Sequence, residues 1–117
     1  MNLDEIYAKY DKIIREDSSL PYIKCNNCNS TFFYPRHFCP KCGSNNIEVM
    51  RSSGIGKVFS WTKIYRKGDK WIYGIVELEE GFKVYCNFTE DIKIGDKVKV
   101  KVVPKDDRYY SIIASKI

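Results

Sequence analysis

Two Cys-x-x-Cys pairs, Cys25-Asn26-Asn27-Cys28 and Cys39-Pro40-Lys41-Cys42, separated by ten residues, constrain this chain more than any other feature. Each pair sets two sulfurs on one tight turn, so the two turns together complete a tetrahedron around a borderline-soft cation. The spacing predicts one structural zinc held by Cys25, Cys28, Cys39 and Cys42 at the centre of a small ribbon. Iron is accepted by similar turns, and redox-active or disulfide-bonded pairs are a further alternative. The residue after each second cysteine is best placed at positive φ, which turns backbone N–H groups toward the thiolates; Gly43 takes that conformation freely and Asn29 tolerates it. A closed four-sulfur shell has no open position for water or substrate, so the metal is expected to be structural. His37 lies between the pairs and reads as a surface or packing residue, and Cys86 as a small buried hydrophobe.

At 117 residues the chain suits one compact unit with a marginal core, which a metal staple would reinforce. Hydrophobic residues (44%) and charged residues (30%) are in the ordinary globular range, so disorder is not expected. No apolar signal region or membrane-length run occurs, which predicts a cytoplasmic protein with no membrane association. In a reducing cytoplasm, metal explains paired cysteines better than disulfides do. The net charge of +5 favours anionic partners such as nucleic acid, a nucleotide-bearing cofactor or an acidic protein surface.

Leu3, Ile6, Tyr7, Tyr10, Ile13 and Ile14 recur at helical spacing behind Asn2 and Glu5, a cap pair, so residues 3–16 are predicted helical. Asp17, Ser18, Ser19 and Pro21 end that helix. The ribbon follows, with Thr31–Tyr34 as a short strand and Ile47–Met50 as the strand leading out. From residue 50 the pattern alternates with period two over 55–66, 70–79, 82–89, 97–103 and 108–115. Val58 and Ile64 fall on one face of the first segment, and Ile72, Gly74, Val76 and Leu78 on one face of the second. Glu80 and Gly81 read as a hairpin turn, with Glu77, Glu79 and Glu80 as a solvated face. Val98, Val100 and Val102 alternate with Lys97, Lys99 and Lys101, giving one wet face. The expected fold is mainly β: an N-terminal helix (1–21), a zinc ribbon (22–49) and a five-stranded barrel (50–117) of the oligonucleotide/oligosaccharide-binding (OB) type. A sandwich or an SH3-like barrel would read similarly.

Trp61, Lys63, Tyr65, Arg66, Lys67, Trp71 and Tyr73 interleave bases and aromatics around one predicted hairpin, the composition of a single-strand stacking platform. Ordinary packing aromatics or a protein-docking surface give the same pattern. One histidine, one spare cysteine and dispersed carboxylates do not form a catalytic constellation, so no enzymatic activity is expected.

The helix, Cys25-Asn26-Asn27-Cys28, Phe33-Tyr34-Pro35-Arg36, Cys39-Pro40-Lys41-Cys42-Gly43-Ser44, Ser53-Gly54-Ile55-Gly56-Lys57-Val58 and Val76-Glu77-Leu78-Glu79-Glu80-Gly81 occur in a familiar order. That order resembles the OB-fold proteins with an N-terminal rubredoxin-like zinc ribbon, catalogued as domain of unknown function thirty-five, over residues 3 to 103. The resemblance implies a non-catalytic scaffold or accessory subunit. It would associate with acyl-CoA enzymes, acetoacetyl-CoA thiolase and HMG-CoA synthase in archaea, and contribute to a coenzyme A site. A single-stranded nucleic-acid-binding protein is the alternative. Coenzyme A offers phosphates and an adenine, which call for Arg or Lys beside an apolar slot. Arg36, in a Pro-Arg step that recurs in the family, is the leading candidate. Arg51 and Lys57 flank Gly54 and Gly56, where missing side chains would let a ligand approach. Trp61, Tyr65, Trp71 and Tyr73 are the candidate partner anchors.

Overall fold

In the computed structural model, which describes residues 2–17, 19–104 and 110–117, helix α1 (Leu3–Asp17) opens on the expected cap. Asn2 Oδ1 accepts the Glu5 N–H at 2.9 Å, satisfying a donor that the first helical turn leaves free. The face carrying Ile6, Tyr10, Ile13 and Ile14 is buried, whereas Tyr7 is exposed. Tyr10 donates its hydroxyl to the Phe33 carbonyl at 2.5 Å, which ties the helix to the ribbon. Ser18, assigned to the helix end, lies outside the described residues. No described helix is long and apolar enough to cross a membrane.

The ribbon is a three-stranded antiparallel sheet in the order β2-β1-β3, built from β1 (Pro21–Cys25), β2 (Thr31–Phe32) and β3 (Ile47–Arg51). Its central strand β1 was not expected from the sequence. Pro21, Tyr22, Ile23 and Cys25 are all buried, so the segment lacks the alternation that marks a half-exposed strand. The expected strand Thr31–Tyr34 stops at Phe32, because Phe33 turns into the core with its carbonyl committed to Tyr10.

Five strands close the barrel in the order β4-β5-β6-β8-β7: β4 (Ile55–Arg66), β5 (Asp69–Leu78), β6 (Lys83–Phe88), β7 (Lys97–Pro104) and β8 (Tyr110–Lys116). All neighbours are antiparallel except β6 and β8, which meet in parallel at Asn87–Ile113 and Phe88–Ala114. This is the expected OB-type arrangement. The expected strand start at residues 108 and 109 falls outside the described residues. Alternating apolar residues face inward as read, with Ile72, Val76 and Leu78, Val84, Cys86 and Phe88, and Val98, Val100 and Val102 all buried.

One expectation about faces is corrected. A β-bulge between Val58 and Ser60 inserts a residue, so Val58 points inward while Ile64 sits on the outer face, 45% exposed. The ribbon and barrel share one hydrophobic core. Phe82, just after the β5–β6 turn, stacks on Tyr22 at 4.8 Å and on Phe33 at 6.5 Å.

Candidate functional site

The metal centre is made of two turns with one backbone pattern. In the first, Asn29 N–H donates to the Cys25 carbonyl and Cys25 N–H to the Ser30 carbonyl; in the second, Gly43 N–H donates to Cys39 and Cys39 N–H to Ser44, all at 2.7 to 2.9 Å. Asn29 (φ 61°) and Gly43 (φ 79°) occupy the left-handed region as expected. The four sulfurs lie within 4.8 Å of one another, with Cys25–Cys42 and Cys28–Cys39 each at 3.6 Å. A tetrahedral zinc with Zn–S bonds of about 2.3 Å requires sulfurs about 3.8 Å apart, and a disulfide about 2.05 Å, so the residues fit an ion and not a bridge. The Ser30 hydroxyl and N–H lower the Cys28 thiol to about 6, and the Ser44 N–H and the Asn27 amide lower Cys42. The Cys28 N–H also favours the Cys25 thiolate, but burial and the neighbouring thiols outweigh it and push Cys25 up to about 11, so the four sulfurs share charge unequally until an ion is bound. Bound there, zinc supplies structural crosslinking only. His37 is exposed, with its ring against Phe38 at 5.0 Å, and Cys86 is buried in the barrel, its thiol pushed up to about 12 by that burial.

A second constellation joins ribbon to barrel, and the sequence reading of Glu80 as a solvated residue is corrected by it. Glu80 accepts the Ser52 hydroxyl at 2.7 Å and the Ser53 N–H at 2.9 Å, while its carbonyl accepts the Thr31 hydroxyl at 2.9 Å. Burial raises the carboxyl pKa, but the hydrogen bonds from Ser53 and Ser52 outweigh it and hold the group below the usual glutamate range. A depressed folded value means stability that is present above the ordinary value of about 4.3 and is lost as pH falls through the lower folded value. Glu80→Gln is therefore expected to cost about 1 kcal/mol at neutral pH, a modest figure because the group is partly solvated. The melting-temperature difference from the parent protein should vanish in acid, and a difference that is constant with pH would contradict the assignment. Glu77 and Glu79 are exposed as expected, Glu77 lying 3.8 Å from Lys83 Nζ.

The three candidate cations for coenzyme A lie in three elements. Arg36 is exposed in the bend before Cys39; Arg51 is exposed at the end of β3, across from Pro21; Lys57 is exposed on β4, across from Glu77 and Lys97. Lys57 lines a cleft of about 260 Å³ with Gly56, Leu78 and Gly81. Gly54 and Gly56 each line a cleft, but the barrel itself also requires their missing side chains. A Cβ at Gly54 would stand 2.8 Å from the Val100 carbonyl and one at Gly56 2.5 Å from the Glu77 carbonyl, so both glycines serve the barrel's own closure.

The four aromatic anchors are exposed but divided between two faces. Trp61 and Tyr65 lie on the side of Gly74 and Ile72, whereas Trp71 and Tyr73 occupy the alternate positions of β5 and point outward. Lys63 Nζ sits 5.7 Å from the Trp61 ring, and Lys63 and Lys70 each lie 3.5 Å from Asp91. On the outer face Tyr73 stacks on Tyr85 at 6.0 Å, and Lys83 Nζ caps Phe59 at 4.5 Å. Phe59, Tyr85 and Asp91 were missed by the sequence reading. Tyr85 was legible as the outward residue between Val84 and Cys86, but Phe59 is exposed by the bulge.

Residues 15–48 match the family model described as "ChsH2, rubredoxin-like zinc ribbon domain", and residues 50–103 match "ChsH2, C-terminal OB-fold domain". A "DUF35 domain-containing scaffold protein" of Pyrococcus furiosus is 36% identical over 103 residues, covering 80% of this chain and 75% of that protein. Its namesake in Methanocaldococcus jannaschii is 30% identical over 107 residues, covering 82% and 76%. "Benzoylsuccinyl-CoA thiolase subunit BbsA" of Geobacter metallireducens is 29% identical over 86 residues, covering 68% of this chain and 58% of that protein. Among solved structures, "Ltp2-ChsH2(DUF35) aldolase" superposes with a TM-score of 0.76 at 21% identity, covering 93% of this chain and 92% of that one, a likeness of fold.

Proposed function

Because the chain belongs to the DUF35 family of zinc-ribbon and OB-fold proteins, we propose that it is a non-catalytic scaffold subunit of acyl-CoA enzymes. Its partners in this reading are a cytoplasmic acetoacetyl-CoA thiolase and HMG-CoA synthase, or related enzymes, and it contributes side chains to a coenzyme A site. The observation that carries the proposal is the match to two proteins named as scaffolds over three quarters of their length, supported by the match to a thiolase subunit. The physical build agrees with such a role. A scaffold must hold its docking surfaces in fixed relation, and here the metal turns fix the ribbon while the Glu80 tie and the Phe82 stack lock it to the barrel. Exposed Trp61, Tyr65, Trp71 and Tyr73 are efficient anchors, since rigid aromatics bury large area at little entropic cost.

Mixing the protein with the thiolase and synthase of its own organism is expected to give a larger species on size-exclusion chromatography. Trp61→Ala or Trp71→Ala should weaken it by about 2 kcal/mol, roughly thirtyfold in Kd. Arg36→Ala should reduce coenzyme A retention and leave the assembly intact. Separate elution at micromolar concentration, with zinc bound and coenzyme A present, overturns the proposal.

The stacked Tyr73–Tyr85 pair beside Lys83 favours the second reading, because OB-folds bind single strands on this sheet face. Under the scaffold proposal no tight oligonucleotide binding is expected. Binding that falls steeply with salt and is weakened by Tyr73→Ala would reverse the ranking.

A further inference from the structure

Strand β4 is longer than the barrel needs. It pairs with β7 only over Ile55–Lys57, and the contact with the preceding loop ends at Val58, whose N–H and carbonyl bond Asp96 and Gly95. On its other side it continues with β5 to Arg66–Asp69, but β5 itself pairs with β6 only from Ile72 onward. Residues 64–71 thus form a two-stranded arm that runs past the β5–β6 pairing, tied back at its base by Lys63 and Lys70 beside Asp91, and a two-stranded unit is of marginal stability in water. Among the described residues, nothing pairs with the outer side of β4 from Phe59 to Arg66.

The backbone groups on that side can be assigned. Lys67 (φ 51°) and Gly68 (φ 85°) make a two-residue turn, so Arg66 and Asp69 form the closing hydrogen-bonded pair. Bonded and non-bonded pairs alternate along an antiparallel ladder, so Ile64 and Thr62 bond β5 while Tyr65, Lys63 and Trp61 turn their N–H and carbonyl groups outward. Proteins ordinarily blunt such an edge with charge. Here the central Lys63 is drawn to Asp91, and it is flanked by Trp61 and Tyr65, 38% and 72% exposed.

We infer that this edge, Trp61 to Tyr65, takes up an extended acidic segment of a partner protein as an added antiparallel strand. The inference rests on the scaffold reading and adds its mode of attachment. An incoming strand would satisfy three outward pairs of backbone groups, which gives affinity, while its side chains give specificity. Acidic residues suit the incoming strand because Lys63 and Lys70 share the single Asp91 carboxylate, leaving one positive charge in excess, and Arg66 and Lys67 extend that field to the tip. Apolar residues suit the opposite face, where Ile64 and Trp71 are 45% and 46% exposed. A second copy is a poorer occupant, because it brings the same cations to the shared interface.

The test is residue-resolved amide exchange on the intact zinc protein with a seven-residue peptide alternating valine and glutamate, and with its valine–lysine counterpart as control. Alone, the protein should exchange Trp61, Lys63 and Tyr65 amides quickly and Thr62 and Ile64 slowly. At about ten times its Kd, the acidic peptide should slow the first three about tenfold. Lys63→Ala should still reach that protection but need several times more acidic peptide; Lys63→Pro, which removes an outward donor at a position an edge strand tolerates, should abolish it. Protection elsewhere, equal protection by the lysine peptide, or protection that appears on concentrating the protein alone overturns the inference. In the thiolase complex the same three amides should be protected. If that complex forms and they stay open, the edge inference fails and the scaffold reading stands; if no complex forms yet the acidic peptide protects them, the reverse holds.

Discussion

Cys39→Ser is expected to abolish stoichiometric metal binding and unfold residues 20–51, leaving the barrel weakened. Cys39 is buried, and its sulfur stands 3.6 Å from Cys28, so the change removes one of four ligands and leaves three thiols with no ion to share. Structural zinc contributes roughly 10–16 kcal/mol of apparent binding energy in small ribbons, as large as the whole stability of a domain this size, so metal loss and unfolding are one event. The sheet β2-β1-β3 has only two residues in β2 and depends on the turns for its geometry. Its loss would uncover Phe82, which stacks on Tyr22 and Phe33, so the barrel should also melt lower. Metal analysis should return one zinc per parent chain and none for the variant, with amide protection at Ile23 and Ile47 lost. Cys86→Ala should keep the metal, since that cysteine lies in the barrel core away from the site. Freshly purified parent protein with neither zinc nor iron, or a ribbon that stays folded after chelation, would refute the assignment.

The metal site was legible because its chemistry is local: the spacing of two short turns and the left-handed positions at Asn29 and Gly43 depend on few residues. The barrel strands were legible for a related reason, as alternation such as Val98, Val100 and Val102 against lysines survives in any sheet with one wet face. What could not be read depends on long-range partners. Strand β1 is buried on both faces and so carries no alternation. Glu80 looks like a surface turn residue until Ser52 and Ser53, nearly thirty positions away, are seen to donate to it. The bulge at Phe59 leaves no signature in composition, yet it moves Ile64 to the outside and divides the aromatic residues of the arm between two faces.

That bulge makes Gly74→Ala the second large effect. Gly74 lies in the middle of β5, across from Trp61, and a Cβ built there would stand 2.1 Å from the Ser60 carbonyl oxygen and 2.7 Å from Trp61 Cα. Both obstacles are backbone atoms, so no side-chain rotation relieves the clash; β4 itself has to move. The backbone of Gly74 is not in the left-handed region, so alanine meets no conformational penalty and the cost is steric. Overpacking of this kind costs about 3 kcal/mol, a large fraction of the stability of a small domain. Gly68→Ala is the natural contrast. Gly68 has open space around it and φ 85°, so its replacement carries strain alone, about 1 kcal/mol. Urea unfolding of the zinc-loaded proteins should therefore show a much lower midpoint for Gly74→Ala than for Gly68→Ala. Because the displaced strand carries Trp61, Lys63 and Tyr65, Gly74→Ala should also weaken assembly with the acyl-CoA enzymes under conditions where the protein stays folded. A Gly74→Ala protein as stable as Gly68→Ala would mean that β4 does not cross Gly74 at the bulge, and the outward assignment of the edge residues would fall with it.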